Sequence, residues 1–439
     1  MEKFDVLVLG GGLAGVSAAL KAAELGGKVC LIEKDVIGRA GFLRRNALHL
    51  KGQHSTSVSW VEYKAALDSE IKEYCRVMRE KLDAVAVVII EGEGRLAGRN
   101  EVSIQKSDGE TLLLKGKSII LAYGSSSRFP STLPREDGVV IAIDEISQLK
   151  ELPGKILVIG SSRCATETAL GLQQRGRKVF LCSEQTNLIS GLDTDFNSEI
   201  ERQLKERKIK ILAGKKLISF YKTGDELGVT LETGIKFLVD QIIIAGDRSG
   251  LKEVDGLEKI GIRLGENQKI FVDEGMMTSL PGVYAIGSIT GELTSDTRAQ
   301  EEGKIAAENS LGKKRKLNPE WVPQTIRLYP DIAYVGCNMA TAGHQGFHPV
   351  EGVFERESNA SADSSCREKF KVVADKRSRL IVGVQLISSQ SSDWISMILL
   401  LIKKGVTVGN LANSTYPEGA GINGLCEAAK KCLHALKPS

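Results

Sequence analysis

The stretch Asp5-Val-Leu-Val-Leu-Gly-Gly-Gly-Leu-Ala-Gly15 decides the fold of the first part of the chain. Its first five residues predict a buried strand, and its glycines predict a tight turn into a helix. Apolar helical spacing continues from Leu13 to Leu25, and Val29 to Ile32 predicts a second strand, closed by Glu33. A strand, a glycine turn, a helix, a strand and an acid about twenty residues later form the dinucleotide-binding βαβ fingerprint.

Each glycine of this fingerprint, and its acid, has its own expected role. Gly10 permits the tight turn, Gly12 lets the backbone approach a pyrophosphate, and Gly15 lets the helix and strand pack closely. The free N–H groups and the positive dipole end of the helix face the phosphates, while Glu33 accepts hydrogen bonds from a ribose. The alternative is a glycine-rich loop without a ligand, and the complete flanking context favours the nucleotide.

The composition is that of a globular protein of two or three domains, with 439 residues, 42% hydrophobic and 26% charged. A net charge of +4 is too small to indicate a nucleic-acid partner. We expect no secretory signal, because a core strand begins by Asp5. We also expect no membrane span, because the longest apolar run, Ile395 to Ile402, is far shorter than the roughly 20 residues that a bilayer requires.

The cysteines and histidines are scattered along the chain. Eight cysteines include no C-x-x-C or C-x-x-x-x-C pair, and the five histidines form no metal-ligand cluster with useful companions. We therefore predict no metal site and a reducing, cytoplasmic compartment.

A second βαβ unit begins with the strand Lys155-Ile-Leu-Val-Ile159, turns at Gly160 and continues in a helix near Ala165 to Arg175. Its next strand, Val179 to Cys182, is followed by Glu184 at the position of a ribose-binding acid. Two nucleotide units in one chain suggest two nucleotides and electron transfer between them.

The character of the chain changes from Gln324 onward. Strands such as Leu380 to Ile387 are followed by helices at Ser392 to Lys404 and near Asn423 to Leu436. This pattern predicts a separate α+β domain.

Three further motifs complete a family resemblance. They are Ala122-Tyr-Gly124-Ser125, Tyr284-Ala-Ile-Gly287 and Pro330-Asp-Ile-Ala-Tyr-Val-Gly336. With the N-terminal fingerprint, and in this order, they resemble the flavin-dependent pyridine nucleotide-disulphide oxidoreductases. That family includes dihydrolipoyl dehydrogenase, mercuric reductase and the soluble transhydrogenases.

The resemblance implies an α/β fold with two doubly wound dinucleotide-binding domains, for FAD and NAD(P), and a C-terminal α+β dimerisation domain. The implied limits are 1–145 and 269–315 for the two parts of the FAD domain, 146–268 for the NAD(P)-like domain and 320–439 for the dimerisation domain. The helix Ser392 to Lys404 and the Pro330 to Gly336 strand resemble the family's dimer interface, so a homodimer is expected.

The resemblance also implies the cofactor residues. Those expected at FAD are Gly10, Gly12, Leu13, Ala14, Gly15, Glu33, Lys34, Ala122, Gly124, Gly287 and Ser288. Those expected at the nicotinamide nucleotide are Gly160, Glu184 and Gly246. Two departures weaken these sites: Ser288 stands where the family has Asp, and Ser162 stands at the second glycine position.

The family's reactive groups are replaced. Gly41 and Asn46 occupy the positions of the two redox-active cysteines, and Tyr416 replaces the family's His, with Gly421 where its partner Glu would be. We expect Tyr416 to act as a hydrogen-bond donor. A Lys51–Glu167 ion pair beside the flavin would restore a family Lys–Glu pair after a one-residue shift of register.

Two functions follow from this mixture of retained and lost residues. The preferred one is an FAD-dependent oxidoreductase that takes electrons from NAD(P)H and passes them to a small-molecule or protein acceptor that is not a disulphide. The alternative is a catalytically degenerate, flavin-binding or empty dimeric scaffold or regulatory subunit. The intact FAD glycines favour the enzyme, and the altered positions favour the scaffold.

Overall fold

The computed structural model describes residues 3–46, 48, 58–130, 132–224, 226–246, 248–250, 256–291, 295–358, 366–416 and 421–436. The chain divides into two compact units, Met1–Glu184 with Gly214–Leu317, and Gln185–Ala213 with Asn318–Ser439. The domain limits inferred from the sequence stay predictions. No helix within the described ranges is long and apolar enough to cross a bilayer.

Both units combine β-strands with α-helices. The strands, in chain order, are β1 Lys3–Leu9, β2 Val29–Glu33, β3 Val88–Glu91, β4 Glu93–Gly98, β5 Glu101–Gln105, β6 Thr111–Leu121, β7 Ser126–Ser127, β8 Val140–Ala142, β9 Lys155–Ile159, β10 Lys178–Ser183, β11 Lys210–Ala213, β12 Leu217–Thr223, β13 Glu226–Leu231, β14 Lys236–Val239, β15 Gln241–Ile244, β16 Arg248–Ser249, β17 Val283–Ala285, β18 Gln324–Ile326, β19 Ile332–Gly336, β20 Pro349–Ser358, β21 Cys366–Asp375 and β22 Ile381–Ile387. The α-helices are α1 Leu13–Glu24, α2 Arg39–Asn46, α3 Trp60–Ala84, α4 Arg163–Gln174, α5 Thr194–Glu206, α6 Asp296–Ser310, α7 Met339–His344, α8 Ser391–Lys403, α9 Val408–Ala412 and α10 Asn423–Ala435.

The first unit contains two sheets with parallel cores. In one, β2, β1, β6 and β17 lie side by side and parallel, and in the other the order β10-β9-β15-β8 is parallel throughout. Leu7, Val8 and Leu9 are fully buried; since successive residues of a strand point to opposite faces, both faces of β1 are covered. This is why its sequence ends in a continuous apolar run. The antiparallel meander β12-β13-β14 completes the unit.

The second unit is built on the antiparallel sheet β18-β19-β22-β21-β20. Its core contains Phe370, Leu386 and Leu425, from two of these strands and from α10. A Cβ at Gly424 would lie 2.2 Å from the Phe370 ring, so the helix can approach the sheet only with glycine there.

A buried ion network fastens the start of α5 to this sheet. The Lys371 ammonium, whose side chain is 4% exposed, lies 2.8 Å from Asp195, 3.0 Å from Asp193 and 3.2 Å from Glu351. Lys369 lies 2.8 Å from the same Asp195. Burial disfavours charge on Asp195, but hydrogen bonds from both lysines outweigh it and hold the pKa of its carboxyl below the usual value.

Candidate functional site

A cavity of about 270 Å³ opens where the parallel strands β2, β1, β6 and β17 end. This is the edge at which open α/β sheets bind ligands. Its lining includes ten of the eleven residues predicted for FAD, namely Gly10, Gly12, Leu13, Ala14, Glu33, Lys34, Ala122, Gly124, Gly287 and Ser288. Residues separated by nearly 280 positions in sequence therefore face one space.

The three glycines of the turn have different surroundings. Gly10 has a φ of +107°, and a Cβ on it would lie 2.3 Å from the Ala122 carbonyl oxygen. A Cβ on Gly15 would lie 1.9 Å from the Gly10 carbonyl oxygen, so this eleventh predicted residue packs the helix against the turn behind the cavity. Gly12, the N-cap of α1, has nothing within 4 Å of its Cβ position. Of these three glycines, only Gly12 therefore has open space at its Cβ position, and this is where a pyrophosphate would approach.

Glu33 is held by backbone at the end of β2. Its carboxylate accepts hydrogen bonds from the N–H of Gly11 and, at 2.9 Å, from the N–H of Asp35. A carboxylate has about four acceptor sites, so both oxygens retain capacity for ribose hydroxyls. Asp35 and Glu93 also line this end of the cavity and were not predicted.

Glu302 of α6 is a supporting residue that the sequence argument missed. Its side chain is 1% exposed and accepts hydrogen bonds from the Gly287 N–H at 2.7 Å and from Arg298 Nε at 2.9 Å. The charge of Arg298 offsets the cost of burying the Glu302 carboxylate. The carboxylate in turn holds the backbone N–H of Gly287, whose φ is +75°. The i, i+4 spacing of Arg298 and Glu302 was visible in the sequence, but the hydrogen bond from Gly287 to Glu302 was not.

The lining also includes Ala40, Gly41, Ser288, Asp296 and Ala299. A Cβ on Gly41 would be 3.7 Å from the Leu13 Cβ, an ordinary van der Waals contact, so a side chain would fit there. Crowding therefore does not impose glycine at this position, where we expect the family's first cysteine.

The second nucleotide turn is organised differently. Gly160 is required there, because a Cβ would lie 2.7 Å from the Ala245 carbonyl oxygen, and Gly246 lies beside it. Ser162 is the N-cap of α4: its hydroxyl accepts the Ala165 N–H at 3.2 Å and donates to the Ala245 carbonyl at 3.2 Å. One of the helix's free N–H groups is thus already satisfied by the protein.

Glu184 lies after β10 as predicted, but at the surface. It forms an ion pair with Lys216 at 3.8 Å, and the two side chains are 63% and 50% exposed. Glu33, by contrast, is half-buried and oriented by backbone N–H groups. The second acid is therefore less constrained than the first.

Of the Lys–Glu pair expected beside the flavin, the structure describes only the Glu. Glu167 is in α4 and 6% exposed, while Lys51 lies outside the described residues, so the Lys51–Glu167 pair stays a prediction. The Arg175 guanidinium stacks 3.5 Å above the Tyr63 ring and donates to the Leu48 carbonyl at 3.1 Å. Burial lowers the pKa of Arg175.

Tyr416 belongs to the core of the second unit. It packs against the apolar cluster there, and burial, followed by the neighbouring Cys426, raises the pKa of its hydroxyl. A Cβ on Gly421 would lie 2.6 Å from Trp394, so the position of the family's Glu has no room for a side chain in this chain.

Burial keeps five of the described cysteine thiols protonated at neutral pH. Burial raises the pKa of Cys182, Cys337 and Cys432 to about 11, and it also raises the pKa of Cys75 and Cys426. Among the described residues, no group of three or more His, Cys, Asp or Glu is placed to hold a metal ion.

Comparisons with known proteins agree with this geometry. The family model described as pyridine nucleotide-disulphide oxidoreductase matches residues 4–303, and its dimerisation domain matches residues 322–418. The chain is 28% identical to the dihydrolipoyl dehydrogenase of Thermus scotoductus, covering 99% of this chain and 100% of that protein. It is 25% identical to dihydrolipoyl dehydrogenase 2, mitochondrial, of Arabidopsis thaliana, covering 97% and 89%. The crystal structure of LpdA from Mycobacterium tuberculosis has the same fold, with a TM-score of 0.84 and 22% identity over 98% of this chain and 99% of that one.

These matches confirm the predicted fold class, with a C-terminal dimerisation domain that supports the expected homodimer. They also confirm FAD and NAD(P)H as the cofactors of the family and an FAD-dependent oxidoreductase as its activity. The chain belongs to the pyridine nucleotide-disulphide oxidoreductase family.

Proposed function

We propose that this protein takes electrons from NAD(P)H through FAD and delivers them to an acceptor that is not a disulphide. The observation that carries the proposal is Gly41, which lines the cavity at the position of the family's first cysteine, together with Asn46 at the second. Neither residue can form or reduce a disulphide, so a dithiol relay has no atoms to work with at this place.

The residues present fit FAD. Glu33 would hold the adenosine ribose, the open N-cap at Gly12 would take the pyrophosphate, and Gly287 and Ser288 would face the flavin half. The close contacts at Gly10 and Gly15, which any Cβ would break, make this turn compact enough for the role. When bound, FAD would supply the redox chemistry: it can accept a hydride and pass electrons on singly or in pairs.

The thiols support direct transfer from the flavin. No cysteine is among the residues that line the described cavity, and burial keeps the thiols of Cys182, Cys337 and Cys432 protonated at neutral pH. A thiol rather than a thiolate is a poor nucleophile and a poor partner for disulphide exchange.

For the nicotinamide nucleotide we propose the turn at Gly160 with Gly246 and Glu184. We propose Tyr416 as a hydrogen-bond donor, because its raised pKa keeps the phenol protonated, and a Lys51–Glu167 pair beside the flavin. The acceptor would be a small molecule or a protein, and the compartment the cytoplasm.

A catalytically degenerate scaffold or regulatory subunit is the second candidate. Ser162 favours it, since the hydroxyl uses an N–H that a pyrophosphate would otherwise bind. The two functions share FAD binding and differ in whether NAD(P)H reduces the flavin.

The deciding experiment is anaerobic titration of the purified yellow protein with NADH and with NADPH. We expect bleaching by one of them, reoxidation by a quinone or dye, and no turnover with the disulphide lipoamide. The rate of bleaching should survive alkylation of the native protein. Yellow protein that neither nucleotide bleaches would favour the scaffold, and turnover with lipoamide that alkylation abolishes would contradict the proposal.

A further inference from the structure

Asp296 is a charged residue of the cavity to which the turn motifs assign no role. Among the described residues, five with charged side chains line the cavity: Glu33, Lys34, Asp35, Glu93 and Asp296. The first four stand at or after the ends of β2 and β3, the end assigned above to adenosine. Asp296 instead begins α6, on the side of Ser288.

The register of α6 explains how Asp296 reaches the cavity. Asp296, Ala299 and Gly303 are spaced i, i+3 and i+7, so they share one face of the helix. A Cβ on Gly303 would lie 2.5 Å from the Ala14 carbonyl oxygen, so this face packs closely on α1 at that point. At 1.5 Å per residue, Asp296 is about 10 Å further along the helix. Asp296 therefore lines a part of the cavity further along α6 than the point where this helix packs on the Gly10–Gly15 turn.

The start of α6 is held in place by the protein itself. The Ser295 hydroxyl accepts the Arg298 N–H at 3.2 Å as the N-cap, and Glu302, about two turns further on, is fixed between Arg298 and Gly287. Asp296 is thus carried on a positioned helix start rather than on a loose loop.

Resting on the proposal that FAD occupies this cavity, we propose that Asp296 binds the flavin half. It accepts a hydrogen bond from a ribityl hydroxyl or a ring N–H. Its negative charge also opposes the addition of electrons to the ring and so lowers the flavin reduction potential. Ser288, an uncharged residue in the same lining, cannot supply that charge.

The test is an Asp296→Asn variant, with Glu301→Gln as the matched control. Glu301 is on the same helix but pairs with Arg315 and is not among the residues that line the cavity. Calorimetric titration of the apoproteins with FAD should show about a tenfold loss of affinity for Asp296→Asn, as expected for one charge-assisted hydrogen bond, and no loss for Glu301→Gln. The flavin midpoint potential of the Asn variant should become more positive.

A purely structural role at the helix start would give a different result, because an acid in the first turn also stabilises the helix dipole. We therefore add Ser288→Asp to the Asp296→Asn variant, which returns a carboxylate to the cavity without returning one to the helix start. Recovery of FAD affinity and of the lower potential supports the proposal.

Three outcomes overturn the inference. One is an Asn variant that binds FAD as tightly as the native protein and at the same potential. Another is a drop in apoprotein melting temperature that accounts for the loss, with no rescue by Ser288→Asp. The third is equal weakening by Glu301→Gln. A native apoprotein that takes up no FAD at all instead contradicts the proposed function, so the two failures are distinct.

Discussion

The two nucleotide turns of this chain have the same backbone plan and opposite chemistry at the helix start. In the first, α1 begins at Gly12, whose Cβ position faces open space. In the second, α4 begins at Ser162, whose hydroxyl already accepts the Ala165 N–H. A phosphate and a capping hydroxyl are competing partners for the same helix N–H groups.

The comparison extends to the acid at the end of the second strand of each unit. Glu33 is held by two backbone N–H groups, whereas Glu184 is mostly exposed beside Lys216. These contacts are consistent with our proposal that the first nucleotide turn holds a resident cofactor and the second an exchangeable substrate. The difference lies in how the helix start and the acid beside each turn are paired within the protein.

The largest expected effect comes from adding one methyl group to the first turn. In Gly15→Ala the Cβ falls 1.9 Å from the Gly10 carbonyl oxygen, and we expect about 3 kcal/mol of lost stability from the forced backbone shift. Gly12→Ala adds the same methyl where nothing lies within 4 Å and should keep the stability of the apoprotein. Denaturant unfolding of both apoproteins measures this, and equal stabilities would contradict the close packing.

The second prediction converts the first turn into the second. Gly12→Ser should let the new hydroxyl cap the Gly15 N–H, and FAD affinity should fall about tenfold because a hydrogen bond to a charged phosphate is lost. Calorimetric FAD titration measures the change against Gly12→Ala, which adds the Cβ without the hydroxyl. An FAD affinity equal to that of the native protein would show that the helix start does not hold the cofactor.

The third prediction is the reverse exchange. Ser162→Gly frees the Ala165 N–H, and we expect NADH or NADPH to bind about fivefold more tightly. The lost cap should cost only a few tenths of a kcal/mol, since glycine is itself a tolerated N-cap. Fluorescence titration with each nucleotide, alongside a melting curve, would detect it. Weaker binding would mean that the Ser162 hydroxyl itself contacts the nucleotide.

The smallest expected effect is at the second acid. Glu184→Gln removes an exposed ion pair with Lys216 and should change NAD(P)H affinity by no more than about twofold, as for other surface pairs. Glu33→Gln should lower FAD affinity by a clearly larger factor, because its carboxylate is fixed by backbone. If the two substitutions weaken their nucleotides equally, the contrast between the turns is wrong.

Local sequence patterns were enough to predict the elements that carry these turns. The helix expected from Leu13 to Leu25 is α1, Leu13–Glu24, and the one expected near Ala165 to Arg175 is α4, Arg163–Gln174. Apolar spacing and N-cap residues act within a few positions, so they are readable without the fold. The same holds for the glycines, whose roles depend on the immediate turn.

The supporting residues were not predictable in this way. Glu302 reaches Gly287 and Arg175 reaches Tyr63 and Leu48 only because the fold brings distant segments together. Asp296 escaped notice because no local motif includes it.

The ion network around Lys371 has a consequence for how this chain can be divided. Asp193 and Asp195 come from the Gln185–Ala213 stretch, although their partners lie about 175 residues later in sequence. A fragment that began at Asn318 would leave Lys371 with only Glu351 of its three acidic partners, and it would also lack Phe196, whose ring centroid lies 5.6 Å from the Lys371 ammonium. A single crossover that replaced only the C-terminal stretch would create the same defect. The two stretches therefore have to be inherited as one block, and exchange of this domain between relatives requires both at once.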